Sequence, residues 1–264
     1  MNKIKTIVSK EWAEVFKNRI VLFTVAFLPL IFTALPIITV VAMDSFSAEM
    51  MASSSSGDME AFVGELCQDL DDMACTELYL LNLYTLMFML LPVIIPVTIA
   101  AYSIVGEKTA RSLEPLLATP ITTVELLLGK MIAACVPAVV VTWGAFLIYA
   151  VVLWFMVSAE IFALAMAPMW LVAVLVVAPL MSLMAVSAAV LVSSRVSDPR
   201  AAEQLSAFVI LPIILLILGQ SLGLILIDAR MILFLGILVL ILDVILVFMS
   251  VKLFQRETIL TQWK

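Results

Sequence analysis

Apolar residues in this chain are gathered into blocks of roughly 20–27, separated by short charged or proline-marked breaks. A bilayer's hydrocarbon core is ~30 Å thick and an α-helix rises ~1.5 Å per residue, so each block is long enough to cross it once. The two-residue alternation that marks an outer-membrane barrel is absent. The pattern predicts an all-α, polytopic membrane protein with six transmembrane helices, at 20–43, 79–105, 125–156, 168–192, 205–227 and 231–254. Composition agrees: 65% of the 264 residues are hydrophobic, 13% are charged, and the mean hydropathy is +1.24. An ordinary soluble domain has ~45–50% apolar and ~25% charged residues. Lysines precede the first block, but its apolar run is too long for a signal-peptide core, so it reads as a retained anchor.

Charge asymmetry gives the orientation. Lys3, Lys5, Lys10, Lys17 and Arg19 precede the first span, and Lys108, Arg111 and Lys130 surround the break between the second and third. Arg195 and Arg200 follow the fourth, and Lys252, Arg256 and Lys264 end the chain. With six spans all thirteen fall on one side, and only Arg230, of the fourteen basic residues, lies opposite. The 44–78 loop has acids and no base. The positive-inside rule therefore predicts cytoplasmic termini and an extracellular 44–78 loop. The net charge of −6 reflects that loop and carries no basic patch for nucleic acid. Cys67 and Cys75 share the outer loop, where their spacing allows a local disulfide; Cys135, inside a span, reads as a small packing residue.

Before the first span, Ile4, Ile7, Val8, Trp12, Val15 and Phe16 recur at helical spacing, with Lys3, Lys5, Lys10, Glu11, Glu14 and Lys17 on the other face. Residues 1–19 thus predict an amphipathic helix in the headgroup plane, with Lys10, Trp12 and Phe16 as its marked residues. Between the second and third spans, the 106–124 segment carries its own punctuation. Ser112 can cap a short helix with Pro115 in its first turn, and Pro120 ends it. Thr122 and Glu125 then have capping-box spacing at the start of the third span. Leu113, Leu116 and Leu117 would make an apolar knob with a charged rim, the mark of a protein partner.

Within the spans, Pro92 and Pro96 predict a kink in the second. Asp243 lies near the middle of the sixth, where an acid implies a transport path, coupling or helix pairing. Gly219 and Gly223, in "GQSLG", allow a close helix contact such as a dimer contact, or with Gln220 and Ser221 a break where the fifth span turns back. Asp228 and Arg230 in the next turn read as a solvated pair.

The run "GEK…SLEPLLATPI…ELLLGK" resembles the signature of ATP-binding-cassette exporter permeases of the type-2 class. "SDPRAAEQLSAFVILP" at 197–212 resembles that family's lead-in to the fifth span, and "LFQRETIL" at 253–260 resembles the tail of its sodium-export branch. The resemblance implies one permease domain over 1–264, with 1–19 as an elbow helix and 106–124 as a coupling-helix loop. It implies a cytoplasmic ATPase partner, a second permease copy as homodimer or related heterodimer, surrounding lipid, and the plasma membrane of a prokaryotic cell. Glu107, Lys108, Arg111, Leu113, Glu114, Leu116 and Leu117 would then meet the ATPase. Family members often have Gly-Thr where this chain has Arg111-Ser112.

The chain's own chemistry is consistent with that division of labour. Gly129-Lys130 is followed by Met131 and has no glycine at the upstream Walker A position. There is no histidine, which excludes H-E-x-x-H metalloprotease sites and histidine-activated nucleophiles. No catalytic residue, metal ligand or bound cofactor is expected in the chain itself; ATP and magnesium would act through the partner. An ion-coupled secondary transporter or channel, or a subunit that transmits ATPase motion without moving a solute, are the competing readings.

Overall fold

The computed structural model describes residues 2–45, 72–109, 122–222, 224–225 and 227–253, and every element among them is helical. A short helix α1 (Asn2–Val15) precedes the first span, α2 (Arg19–Ser45). The second span is two helices, α3 (Asp72–Phe88) and α4 (Leu91–Thr109), and the third is α5 (Thr123–Met156). After α6 (Ala159–Ala165) the fourth span runs through α7 (Pro168–Val172), a π turn at Ala173–Val177 and α8 (Ala178–Arg195). The fifth is α9 (Pro199–Ser206), a 3₁₀ turn at Ala207–Ile210 and α10 (Leu211–Ser221); the sixth is α11 (Ala229–Leu253).

Six of these runs are long and apolar enough to cross a membrane, as the sequence predicts. Several of their ends and breaks have local causes. The Thr122–Glu125 capping box forms: the Glu125 N–H donates to Thr122 Oγ1 at 3.2 Å and the Thr122 N–H to Glu125 Oε2 at 2.8 Å. Asp198 caps α9, where Pro199 needs no partner for an N–H it lacks. Pro92 removes a donor and clashes with the preceding turn, and the second span breaks at Met89–Leu90, where three-residue hydrogen bonds replace the α ladder.

Two expectations change. The fifth span starts at Pro199 and stops at Ser221, rather than covering 205–227, because the N–H groups of Leu224 and Ile225 both turn back to the Gly219 carbonyl. Asp228 is not a partner for Arg230; its Oδ1 accepts from the Met231 N–H at 2.8 Å and caps α11.

The second span is the hub. In its apolar window 83% of residues are buried, against 17% in the fifth and sixth. It packs along α8, α5 and α9, and α8 carries α11 on its other side. Phe88 meets Phe146 edge-to-face and Tyr149 at a tilt, and Trp170 Nε1 donates to Asn82 Oδ1 at 2.8 Å in the buried interior. The outer faces of α2, α5, α10 and α11 expose large apolar side chains such as Phe155, Leu215 and Val244, which only hydrocarbon satisfies at low cost.

Candidate functional site

The densest polar construction in the bundle lies where α1 crosses the roots of the loop joining the second and third spans. The crossing is built on the α5 face formed by Leu126, Gly129, Lys130 and Ala133, spaced at i, i+3, i+4 and i+7. On α1 the facing stripe is Ile7, Glu11 and Val15, all buried. A Cβ at Gly129 would stand 2.6 Å from Ile7 Cγ2 and 2.9 Å from Ile7 Cβ, so only glycine admits this approach.

Periodicity groups Glu11 with the polar face of α1, yet the structure turns it inward, 2% exposed. The stripe read as one apolar surface divides: Ile7 and Val15 face the bundle, while Trp12 and Phe16 stay exposed. The helix is docked on α5, and its outward aromatics suit contact with lipid.

Glu11 meets its counter-charge there. Lys130 Nζ lies 2.7 Å from Glu11 Oε1 and 2.8 Å from Glu107 Oε2, and also donates to Ser103 Oγ at 2.9 Å. The Ser103 hydroxyl donates to the other Glu11 oxygen. Lys10 closes the set with a 2.8 Å bond to Glu107 Oε1. Two carboxylates and two ammonium groups therefore balance in a chain Glu11–Lys130–Glu107–Lys10 that ties α1, α4 and α5 together. Glu107 stands at the start of the 106–124 loop and Lys130 about two turns beyond its end on α5, so their bridge joins the helices that lead into and out of it. The cleft beside them, about 290 Å³, is lined by Glu11, Glu14, Tyr102, Ser103 and Glu107.

The outer members behave differently from the inner ones. Lys3 to Glu125, at 3.8 Å between half-exposed groups, adds little. For Lys10, burial lowers the ammonium's pKa, but the Glu107 hydrogen bond and charge, with Glu14 and Glu11 behind it, raise it above the ordinary lysine value. A raised lysine pKa means that its pairing is complete at neutral pH and fades only as pH climbs through that raised value, above 10.5.

Trp12 makes a further tie. Its Nε1–H donates to the Ala133 carbonyl at 3.0 Å, four residues before Pro137, which lies inside α5. In an unbroken helix that carbonyl would accept from residue 137, and proline has no N–H to give. Trp143 does the same for Val174 at 2.9 Å, in the π turn ahead of Pro179. Trp12→Phe should leave the Ala133 carbonyl unsatisfied and lower stability by about 1–3 kcal/mol. In a Pro137→Ala background, where the helix supplies its own donor, the same change should cost almost nothing. Unfolding titrations of the four-member cycle in detergent micelles check this, and equal costs in both backgrounds would remove the tie.

The other sequence-marked residues are scattered. Glu107 is not an outward contact; at 6% exposure it is engaged by two lysines of its own chain. Lys108 lies in the last turn of α4, and Arg111, Leu113, Glu114, Leu116 and Leu117 lie outside the described residues. Gly219 does not offer an open face to a dimer partner, because Ile225 folds back onto it, 2.7 Å from where a Cβ would be; Gly223 lies outside the described residues. Cys75 is disulfide-bonded, Cys135 is free, and Cys67 lies outside the described residues. Asp243 is buried midway along α11, remote in sequence from the clasp.

Sequence reasoning missed Glu11, Ser103, Gly129 and Lys130 as one unit. A signal existed: Lys130 falls inside the apolar block predicted as the third span, and a lysine there needs an acid. Elsewhere Thr98, buried in α4, donates to Glu203 Oε1 of α9 at 2.6 Å, while Ala101 and Val105 pack on Ala202. The lead-in to the fifth span is thereby pinned to the same helix.

Compared with known protein families, residues 5–232 match the model described as "ABC-2 family transporter protein". No curated protein matches the chain.

Proposed function

Because the chain belongs to the ABC-2 transporter family, we propose that it is the membrane half of an ATP-driven exporter whose moving part is the clasp described above. It is a multi-spanning permease; permeases of this family carry no nucleotide site of their own and work with an ABC ATPase. Our further reading is outward transport across the plasma membrane of a prokaryotic cell, with both termini and the 106–124 loop cytoplasmic. The basic residues at the clasp end support that orientation. We read 1–264 as one permease domain that pairs with a second copy, as homodimer or related heterodimer. The tail at 253–260 favours the sodium-export branch, and Cys67 is our assigned partner for Cys75.

The observation that carries the reading is the bridge between Glu107 and Lys130 at 2.8 Å. A loop that only connected two spans would need no such joint at its roots. With it, a push on Leu113, Leu116 and Leu117 is delivered to α4 and α5 together, and through Glu11 and Lys10 to α1. The second span then passes the motion into α8 and α9, which pack along it. Lys108, Arg111 and Glu114 are proposed as the charged rim of the ATPase contact. Glu107 is reassigned from that rim to the clasp.

Co-expression with an ABC ATPase subunit from the same genome tests the interface. The wild type should retain the ATPase through purification, and Leu116→Asp/Leu117→Asp should lose it while still inserting in the membrane. Retention by the double variant would move the interface away from 113–117.

A further inference from the structure

Among the described residues, Asp243 stands apart from every other acid in the bundle. It lies midway along α11, 2% exposed, and neither carboxylate oxygen has a hydrogen-bond partner. The helix is held against the fourth span on both sides of it. Toward one end a Cβ on Gly236 would stand 3.3 Å from Val177, and toward the other Ser250 Oγ donates to the Ser187 carbonyl at 3.3 Å. Between these contacts α8 carries Ser182, wholly buried, whose hydroxyl also lacks a partner. Cys135 of α5 lies close to both Ser182 and Asp243. Three polar groups from three spans thus share one dry spot. Cys135 also lines an apolar groove of about 480 Å³ with Pro179, Leu183 and Val247.

Among the described residues, no cation is placed to neutralise the acid. Of the elements packed on α11, α5 brings Glu125 and Lys130, α8 brings Arg195, and α7 and the π turn bring no charge. Lys130 is committed to Glu11 and Glu107. Arg195 is thirteen residues from Ser182, and Arg230 and Lys252 are thirteen and nine from Asp243 on its own helix. At ~1.5 Å per residue each is more than about 13 Å away along the axis. A hard metal cation takes about six or more oxygen ligands, which one carboxylate and one hydroxyl do not supply. A buried carboxylate with no counter-ion and no donor meets the cost of burial by taking a proton.

We propose that Asp243, with Ser182 and Cys135 as the polar neighbours of its O–H, is an intramembrane proton-binding site, occupied at neutral pH in this conformation. Separation of α8 from α11 would admit water and release the proton, so the two conformations would differ in proton affinity. The site does not depend on the permease reading or on the identity of the transported solute.

Infrared spectroscopy of the full-length protein in lipid nanodiscs tests it. At neutral pH the wild type should show a protonated-carboxyl C=O band that shifts in heavy water, and Asp243→Asn should remove it. Ser182→Ala should move the band to higher frequency, since the acid loses a hydrogen-bonding neighbour. Should Asp243→Asn fail to fold, wild type grown with carboxyl-labelled aspartate must show the same band displaced by the heavier carbon. Absence of the band in the wild type overturns the proposal, as does its survival in Asp243→Asn or its failure to move with labelled aspartate. Loss of the band when sodium replaces potassium also overturns it, in favour of a metal cation.

Discussion

Lys130→Met should be the most damaging single substitution at the clasp. It removes the one ammonium that touches both buried carboxylates, leaving Glu11 and Glu107 at 2% and 6% exposure with only the half-exposed Lys10 nearby. Breaking a buried pair from one side costs about 3–5 kcal/mol, because the surviving charge keeps its desolvation penalty and loses its compensation. Here two acids are orphaned rather than one, so the upper part of that range is expected. The triple change Lys130→Met/Glu11→Gln/Glu107→Gln removes the charges together and should recover a large part of the loss. Denaturant unfolding in micelles, run on wild type, single and triple variants, gives the comparison. A single variant as stable as wild type would mean that water reaches both carboxylates. If the clasp transmits motion, the triple variant should be well folded and still bind its ATPase, yet fail to couple hydrolysis to transport.

Such a prediction could not have been made from the sequence, although much around it could. The six spans were legible because each exceeds the length at which lipid, rather than packing, becomes the solvent. The Thr122–Glu125 cap and the break at Pro92 were legible because both arise from chemistry within four residues. Helical period also placed α1, but it could not say which side of the helix would meet the bundle. Glu11 sits between Ile7 and Val15 on the inner stripe only because a lysine waits on α5, and that pairing spans 119 residues. Lys130 lies about two turns inside α5, although the orientation argument groups it with the charges around the loop.

Gly219 is a case of the opposite kind. A GxxxG step reports that something approaches closely, not what. Around Gly219 the chain's own Ile225 fills the space, and the stretch turns back on itself, the second reading that Gln220 and Ser221 allowed. Asp243 was legible as an anomaly from its depth alone. Its neighbours were not, since Ser182 and Cys135 are ordinary span residues until three helices bring them together.

Gly129→Val should break the same clasp without touching a charge. The new Cβ would overlap Ile7 at 2.6–2.9 Å, and the atoms met include Ile7 Cβ, which moves only with the α1 backbone. Helix α1 must therefore lift off α5. Overpacking of this kind costs about 1–3 kcal/mol, but here the shift is applied beside an ion pair of 2.7 Å and a Trp12 bond of 3.0 Å, neither of which tolerates a large displacement. The expected loss lies at the top of that range or beyond, with coupling lost alongside. The steric cause has its own control. Ile7→Ala alone opens a cavity and should cost about 2–5 kcal/mol, yet combined with Gly129→Val it removes the Cγ2 met at 2.6 Å while keeping the Cβ met at 2.9 Å, so it should restore part of what valine removed. Unfolding of the two singles and the double gives the interaction energy, which should be strongly favourable for residues in direct contact. Simple additivity would show that α1 does not rest on Gly129 in the membrane, and with it the elbow helix would lose its path to the loop.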